Sequence, residues 1–326
     1  MARVFSGIQP SGDLHLGNYL GALRQFALDQ HDYDCYFCVV DLHALTVPQD
    51  PAALGRQTLE AAQVHLASGL DPAVSTLFVQ SHVHQHAELA WLMECTASVG
   101  ELRRMTQFKE KSGDHEFVPA AMFTYPALMA ADILLYDADR VPVGDDQRQH
   151  LELARDLAVR FNHRFGDTFV VPAAAVPSVG ARIMDLQRPT DKMSKSSSSP
   201  QGTVGLLEDP AISDRKIRRA VTDARSEVHY DPETKPGVSN LLAILGAATG
   251  TDPVALAEGY DQYGPLKADC AEAVVELLRP IQTRYAELAS EPTEVAAVLA
   301  AGADKARSVA ASVLERARSA IGLLPR

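Results

Sequence analysis

The stretch Val4-Phe5-Ser6-Gly7-Ile8-Gln9-Pro10-Ser11-Gly12-Asp13-Leu14-His15-Leu16-Gly17-Asn18-Tyr19-Leu20-Gly21-Ala22-Leu23 limits this chain more than any other. Val4 to Ile8 is a short apolar run suited to a buried strand. Gln9-Pro10-Ser11-Gly12 is turn chemistry, because proline fixes φ and glycine admits positive φ. Leu16, Tyr19, Leu20 and Leu23 then fall on one helical face at i, i+3, i+4 and i+7. A strand that leads through a loop into a helix N-terminus offers free N–H groups and a favourable dipole to a phosphate. Gly17 would let a ligand lie against the backbone, with His15 and Asn18 one turn apart beside it. The plainer reading is an ordinary crossover. The spacing is neither G-x-x-x-x-G-K-[ST] nor G-x-G-x-x-G, which disfavours a P-loop NTPase and a nicotinamide dehydrogenase.

Strand and helix patterns alternate from there. Helix Asn18–Asp29, strand Cys35–Asp41, helix Leu54–Ser68 and strand Thr76–Gln80 complete a β-α-β-α-β unit, the pattern of a doubly wound parallel sheet. Ligands of such sheets sit at the carboxyl ends of strands, where Gln9–Gly12 and Asp41-Leu42-His43 fall. The length of 326 residues, 46% hydrophobic and 22% charged, suits two domains. A net charge of −12 argues against a general nucleic-acid coater, so contact with nucleic acid would need local basic patches. No apolar run is long enough for a membrane span. The first strand signal begins at Val4, so no leader is expected and the cytoplasm is the expected compartment. Cys35-x-x-Cys38 sits in an apolar run and reads better as two buried strand thiols than as a redox pair or half a zinc site.

Further along, His82-x-His84-x-His86 reads as loop and helix-entry residues, with metal binding the lesser alternative. Glu88 to Met105 is helical. Gln107 to Asp114 is charged, with Lys109 and Lys111, and reads as a solvated loop or a phosphate clamp. In Phe123–Tyr136 a helix is expected after Pro126, with proline in its first turn. Tyr125, Met129, Asp132 and Tyr136 share one face of it. A carboxylate on so apolar a face needs a partner, either an arginine elsewhere or a donor on a ligand. Arg140–Val143 is another strand, and Gly144-Asp145-Asp146-Gln147 at its end could hold ribose hydroxyls. Asp191-Lys192-Met193-Ser194-Lys195 is a cationic loop able to neutralise a polyphosphate, and the serine run to Pro200 also reads as a linker. Beyond Gly202 the patterns Ala211–Ala224, Val238–Thr249, Pro253–Tyr260, Pro265–Ser290 and Ala303–Ile321 are helical. Arg215-Lys216-x-Arg218-Arg219 is a basic cluster, either a solvated face or a backbone contact for RNA.

Pro10-Ser11-Gly12-Asp13-Leu14-His15-Leu16-Gly17-Asn18 together with Lys192-Met193-Ser194-Lys195-Ser196 resembles the class I aminoacyl-tRNA synthetases. The opening Ser6–Gly12, Met105–Lys109, Met129–Leu134 and the helical tail narrow this to the bacterial-type tryptophanyl-tRNA synthetase family, along essentially the whole chain. The resemblance implies an α/β fold, with a Rossmann-like doubly wound parallel sheet and a C-terminal all-helical domain. It divides the chain into a catalytic domain at 1–189 with a helical dimer-interface insertion at about 85–130, a mobile loop at 190–200 and an anticodon-binding domain at 201–326 whose last helix packs back on the first domain. It implies activation of L-tryptophan with ATP and Mg²⁺, transfer to tRNA(Trp), and a homodimer. Gln9, Pro10, Ser11, Gly17 and Asn18 would line the ATP, His15 and Asn18 filling the first and last places of the family's H-I-G-H element. Gly144, Asp145 and Asp146 would contact the ribose and Ile183 the adenine. Lys192, Met193, Ser194, Lys195 and Ser196 would close on the triphosphate, assisted by Lys111. Asp132 would accept the indole N–H, Phe5, Gly7, His43, Met129 and Val143 would wall the ring, and Tyr125 and Gln147 would handle the ammonium end. Ser197 to Ser199 depart from the usual sequence of that loop. The rival readings are tyrosyl-tRNA synthetase and a non-catalytic, synthetase-like regulator.

Overall fold

In a computed structural model of the chain, the described residues are 1–10, 14–105, 118–142, 147–175, 182–194, 199–225 and 227–325. Five parallel strands form one sheet: β1 (Arg3–Ile8), β2 (Asp34–Val39), β3 (Thr76–Val79), β4 (Arg140–Pro142) and β5 (Ala173–Ala175), in the order β3-β2-β1-β4-β5. The order reverses between β1 and β4. A doubly wound sheet opens its ligand crevice outside the carboxyl ends of the strands at such a reversal. Gln9 and Pro10 after β1 follow a strand beside that reversal.

The inner strands are apolar because both faces are covered. Val4, Ile8, Cys35, Phe37, Val39, Leu77 and Val79 pack on one side with α4 (Pro51–Ala67). Phe5, Tyr36, Cys38 and Phe78 pack on the other, against α5 (Gln85–Thr96), α7 (Ala121–Leu134), α8 (Arg148–Phe165) and the last helix, α13 (Pro292–Ala320). Cys35 and Cys38 are both fully buried strand residues, as their neighbours suggested. The first core runs on into the helices α9 (Pro210–Arg218), α10 (Pro236–Thr249), α11 (Pro253–Ala257) and α12 (Tyr263–Ser290) through Ile217, Leu241, Cys270 and Val274.

Local chemistry starts many of these helices. Asp50, Asp209 and Asp252 each cap a helix whose next residue is proline, and proline at the first position loses no hydrogen bond there. The helical run after the opening loop comprises α1 (Leu16–Asn18), a π turn (Tyr19–Leu23) and α2 (Arg24–Asp29), and the short α3 (Asp41–Ala44) follows β2. Such wide turns cluster at functional sites.

Several expectations need correction. The Glu88–Met105 pattern is two helices, α5 and α6 (Val99–Arg104), because Ser98 breaks the run and caps α6 reciprocally with Glu101. Helix α7 begins at Ala121, so Pro126 lies inside it. Apolar packing along α7, whose Ala127, Ala130 and Ala131 are fully buried, outweighs the lost N–H. Helix α9 ends at Arg218 instead of Ala224, and α13 starts eleven residues before Ala303, at Pro292. Strand β5 carried no signal, since three alanines show no alternation. Helix α13 lies across edge strand β3 so closely that a Cβ on Gly302 would stand 1.9 Å from the Leu77 carbonyl oxygen. The contact covers an edge that would otherwise invite pairing.

Candidate active site

The two loops singled out in the sequence meet in space. Leu16 N–H donates to the Val204 carbonyl (2.8 Å) and Leu206 N–H to that of Leu14 (2.9 Å). His15 faces Gly205 in a bridge, and Lys192 faces Met184 in another. Asp185 N–H donates to the Asp191 carbonyl (2.8 Å) and Met193 N–H to that of Ile183 (3.0 Å), so residues 183–193 form a small hairpin. Asn240 of α10 fastens it. Its Oδ1 accepts from Met184 N–H and its Nδ2 donates to the Met184 carbonyl, both at 2.9 Å.

At the junction, Gly17 sits over the His15 ring. A Cβ there would lie 3.1 Å from His15 Nδ1 and 3.5 Å from the Met193 Cβ, so only glycine leaves the ring and backbone this close. Asn18 Oδ1 accepts the His15 N–H at 3.0 Å. His15 is buried, its Nδ1 has no hydrogen-bond partner among the described residues, and burial followed by the charge of Lys192 lowers its pKa to about 4. The imidazole is thus neutral at pH 7 and keeps one ring nitrogen uncommitted. Lys192 is exposed and Met193 buried beneath it. Gln9 is exposed at the end of β1, followed by buried Pro10.

A second cluster lies at the carboxyl ends of β2 and β3. Asp132 of α7 is 2% exposed. Its Oδ2 is 2.7 Å from His43 Nε2, and its Oδ1 is 2.7 Å from Gln80 Nε2 and 2.6 Å from His86 Nδ1. Burial alone would raise the carboxyl pKa. The charge and hydrogen bond of His43, then those of His86, outweigh it and hold Asp132 below its ordinary value. Tyr125 stands edge-on to His43 at 6.3 Å and its hydroxyl meets His150 Nε2 at 2.5 Å. Gly7 is the exposed residue of β1, on the strand face it shares with buried Phe5. Phe5 stacks on Tyr136 at 5.4 Å. Met129 packs half-buried against the same core.

Gln9, Pro10, His15, Gly17, Asn18, Ile183, Lys192, Met193 and Ser194 therefore lie on the joined loops, and Phe5, Gly7, His43, Tyr125, Met129 and Asp132 around the second cluster. Gln147 precedes α8. Ser11, Lys111, Val143, Gly144, Asp145, Asp146, Lys195 and Ser196 lie outside the described residues. The carboxylate's partners are two histidines and an amide, where an arginine had been one alternative. His86 and Gln80 were not picked out as site residues. The His-x-His-x-His pattern held the only hint, but it gave no sign that the third histidine alone turns inward. Lys216, part of the basic cluster, is 8% exposed and pairs with Glu208 Oε2 at 2.5 Å, which leaves Arg215, Arg218 and Arg219 on the surface.

Comparison with known proteins adds to this geometry. The family model for class I tRNA synthetases (W and Y) matches residues 1–279. A tryptophan–tRNA ligase of Streptomyces coelicolor is 56% identical over 330 residues, covering 100% of this chain and 98% of that protein. A crystal structure of tryptophanyl-tRNA synthetase from Mycoplasma pneumoniae superposes with a TM-score of 0.90 at 38% identity, covering 99% of this chain and 98% of that one. Another, from Campylobacter jejuni and complexed with ADP and tryptophan, gives 0.85 at 34% identity, covering 98% and 100%.

Proposed function

Because the chain belongs to the class I tRNA synthetases of the tryptophan and tyrosine group, we propose from that premise how its residues divide the work. The reaction is that of a tryptophan–tRNA ligase. L-Tryptophan and ATP give tryptophanyl-adenylate and pyrophosphate, and tryptophan then passes to tRNA(Trp). The observation that carries this reading is the buried, ionised Asp132 at the sheet edge that also bears the joined loops. A carboxylate held as an acceptor among donors suits a substrate with one N–H on an otherwise apolar ring.

Adenylate formation is displacement of pyrophosphate from the α-phosphorus by the tryptophan carboxylate. It needs no covalent enzyme intermediate, and catalysis rests on positioning and on stabilising the charge that leaves. Gln9, Pro10, Gly17 and Asn18 border the nucleotide, with Ser11 beside them. The free Nδ1 of His15 is available to a phosphate oxygen or to its water. Ile183 presents its backbone to the adenine, and Gly144, Asp145 and Asp146 take the ribose. Lys192, Met193, Ser194, Lys195 and Ser196 close on the triphosphate, with Lys111 assisting. Phe5, Gly7, His43, Met129 and Val143 shape the indole site, and Tyr125 and Gln147 meet the ammonium group. The described residues offer no cluster of His, Cys, Asp or Glu fit to hold a metal by themselves. Mg²⁺ on this reading arrives with the triphosphate, and no step is routed through it.

The helices after residue 201 form the anticodon-binding part, with Arg215, Arg218 and Arg219 as backbone contacts. Two copies pair through the surface around α5 and α6, where Trp91 is 65% and Val99 62% exposed. Among the described residues no helix is long and apolar enough to cross a membrane, and the cytoplasm is the compartment in which tRNA charging serves translation.

The test is amino-acid-dependent ATP–pyrophosphate exchange without tRNA, run with a panel of amino acids. Exchange with tryptophan alone is expected. Exchange with tyrosine would overturn the role of Asp132, and no exchange in a folded sample that binds ATP would favour a non-catalytic relative.

A further inference from the structure

His86 is fully buried at the start of α5, and both its ring nitrogens are engaged. Nδ1 lies 2.6 Å from Asp132 Oδ1 and Nε2 lies 2.8 Å from the Tyr136 hydroxyl. An ionised carboxylate can only accept, so Nδ1 carries the proton shared with Asp132. Nε2 is bound to the Tyr136 hydroxyl, so both ring nitrogens are held in place. Tyr136 is itself fixed, stacked on Phe5 at 5.4 Å and on Tyr36 at 5.0 Å. The other donor to Oδ1 is equally constrained. Gln80 is fully buried, and its Oε1 accepts the Leu42 N–H at 3.1 Å, which turns its Nε2 toward Asp132.

We propose that His86 is a positioning residue for amino-acid selection, acting as a fixed N–H donor that, with Gln80, saturates Asp132 Oδ1 and leaves Oδ2 to receive the substrate's N–H beside His43. The inference rests on the reading of Asp132 as the indole acceptor. A carboxylate oxygen offers about two acceptor sites. Among the described residues Oδ1 has both filled, by Gln80 and His86, whereas Oδ2 has one filled, by His43. The carboxylate therefore cannot turn without breaking a buried hydrogen bond, and its open site has one place to be. Buried His65 differs, since its Nδ1 bonds the Ala61 carbonyl of its own helix and lies apart from any recognition group.

The experiment compares tryptophan with its analogue carrying sulfur in place of the indole N–H, in pyrophosphate exchange. A site built to bond one donor rejects the analogue, by at least about 10²-fold. His86→Asn keeps a donor near the Nδ1 position, whereas His86→Gln reaches toward Tyr136 and loses it. His86→Asn is expected to keep the preference for tryptophan within about 3-fold, and His86→Gln to reduce it at least about 10-fold through KM for tryptophan, with KM for ATP unchanged. Equal preferences in the two variants, or a shared rise in KM for ATP, would overturn the proposal. Asp132→Ala separates the premise: if it keeps the preference, the acceptor reading itself fails. A measurement on the unaltered enzyme covers a variant that does not fold. In spectra of ¹⁵N-histidine-labelled protein, His86 is expected to show a protonated, exchange-protected Nδ1 that shifts on adding tryptophan and not ATP. A bare Nδ1 would overturn the assignment.

Discussion

His15 lies in the field of Lys192, and burial and that field together hold its imidazole neutral with Nδ1 free. A neutral ring adds no fixed charge to a site that must accept and release a triphosphate, which on the proposed function leaves the charge of the departing pyrophosphate to the lysines. Lys192→Ala and Lys195→Ala are each expected to slow adenylate formation by about 10²–10³-fold. Tryptophan affinity, measured at equilibrium without ATP, should change little. Equal losses in both measurements would refute the assignment. Buried histidines also make stability depend on pH. Burial lowers the pKa of His65 from the ordinary 6.5 to about 4, although its bond to the Ala61 carbonyl raises it in part. Between those values the unfolded chain binds more protons, so the contribution of His65 is lost as pH drops from about 6.5 toward 4. The effect of His65 alone is on the order of 3 kcal/mol. His65→Leu should flatten that limb in urea melts run from pH 7 to pH 4, and an unchanged slope would count against a neutral His65.

At the scale of elements, the hairpin bearing Ile183 and Lys192 is tied less to the sheet than to the helical part. Asn240 grips Met184 at two points, and Val221 N–H donates to the Leu186 carbonyl at 2.8 Å. Movement of α10 must therefore carry the hairpin with it. Asn240→Ala leaves a backbone donor and acceptor of Met184 without their partner, a loss of roughly 2–4 kcal/mol for the pair. It should raise KM for ATP several-fold with KM for tryptophan unchanged, and unchanged ATP kinetics would place the clamp outside the nucleotide site. The seam between α13 and β3 tolerates even less. Gly302→Ala sets a methyl against the Leu77 carbonyl and should destabilise by about 2 kcal/mol or more in chemical denaturation. A wild-type midpoint would mean that the helix shifts freely along the strand.

For the whole molecule, the exposed Trp91 bears on assembly. It is the chain's single tryptophan and lies 65% exposed on α5, the helix that also carries His86. An apolar side chain of that size left open fits a surface between two copies. Trp91→Glu should shift sedimentation from dimer to monomer, and the wild-type emission should move to the blue as dimer forms on concentration. A Trp91→Glu protein that sediments like wild type would move the interface elsewhere. The legible part of this chain was whatever depends on near neighbours. The inner strands showed as apolar runs, α4 by its period, and the turn and helix start after β1 by local proline and glycine chemistry. β5 was missed because three alanines have no period, and α7 was started too late because Pro126 is a local stop signal that distant packing overrides.

By itself the sequence determined the alternating α/β layout, the two loops, and that a carboxylate at Asp132 on an apolar helix needs partners, since propensity, periodicity and turn chemistry act over a few residues. The tertiary structure alone decided which partners those are. His43, Gln80 and His86 stand 89, 52 and 46 residues from Asp132. They come together because parallel strands end on one side of the sheet, a consequence of chain crossovers that no local pattern encodes. The same packing chose His86 over His82 and His84, and buried Lys216 among arginines that stayed in water.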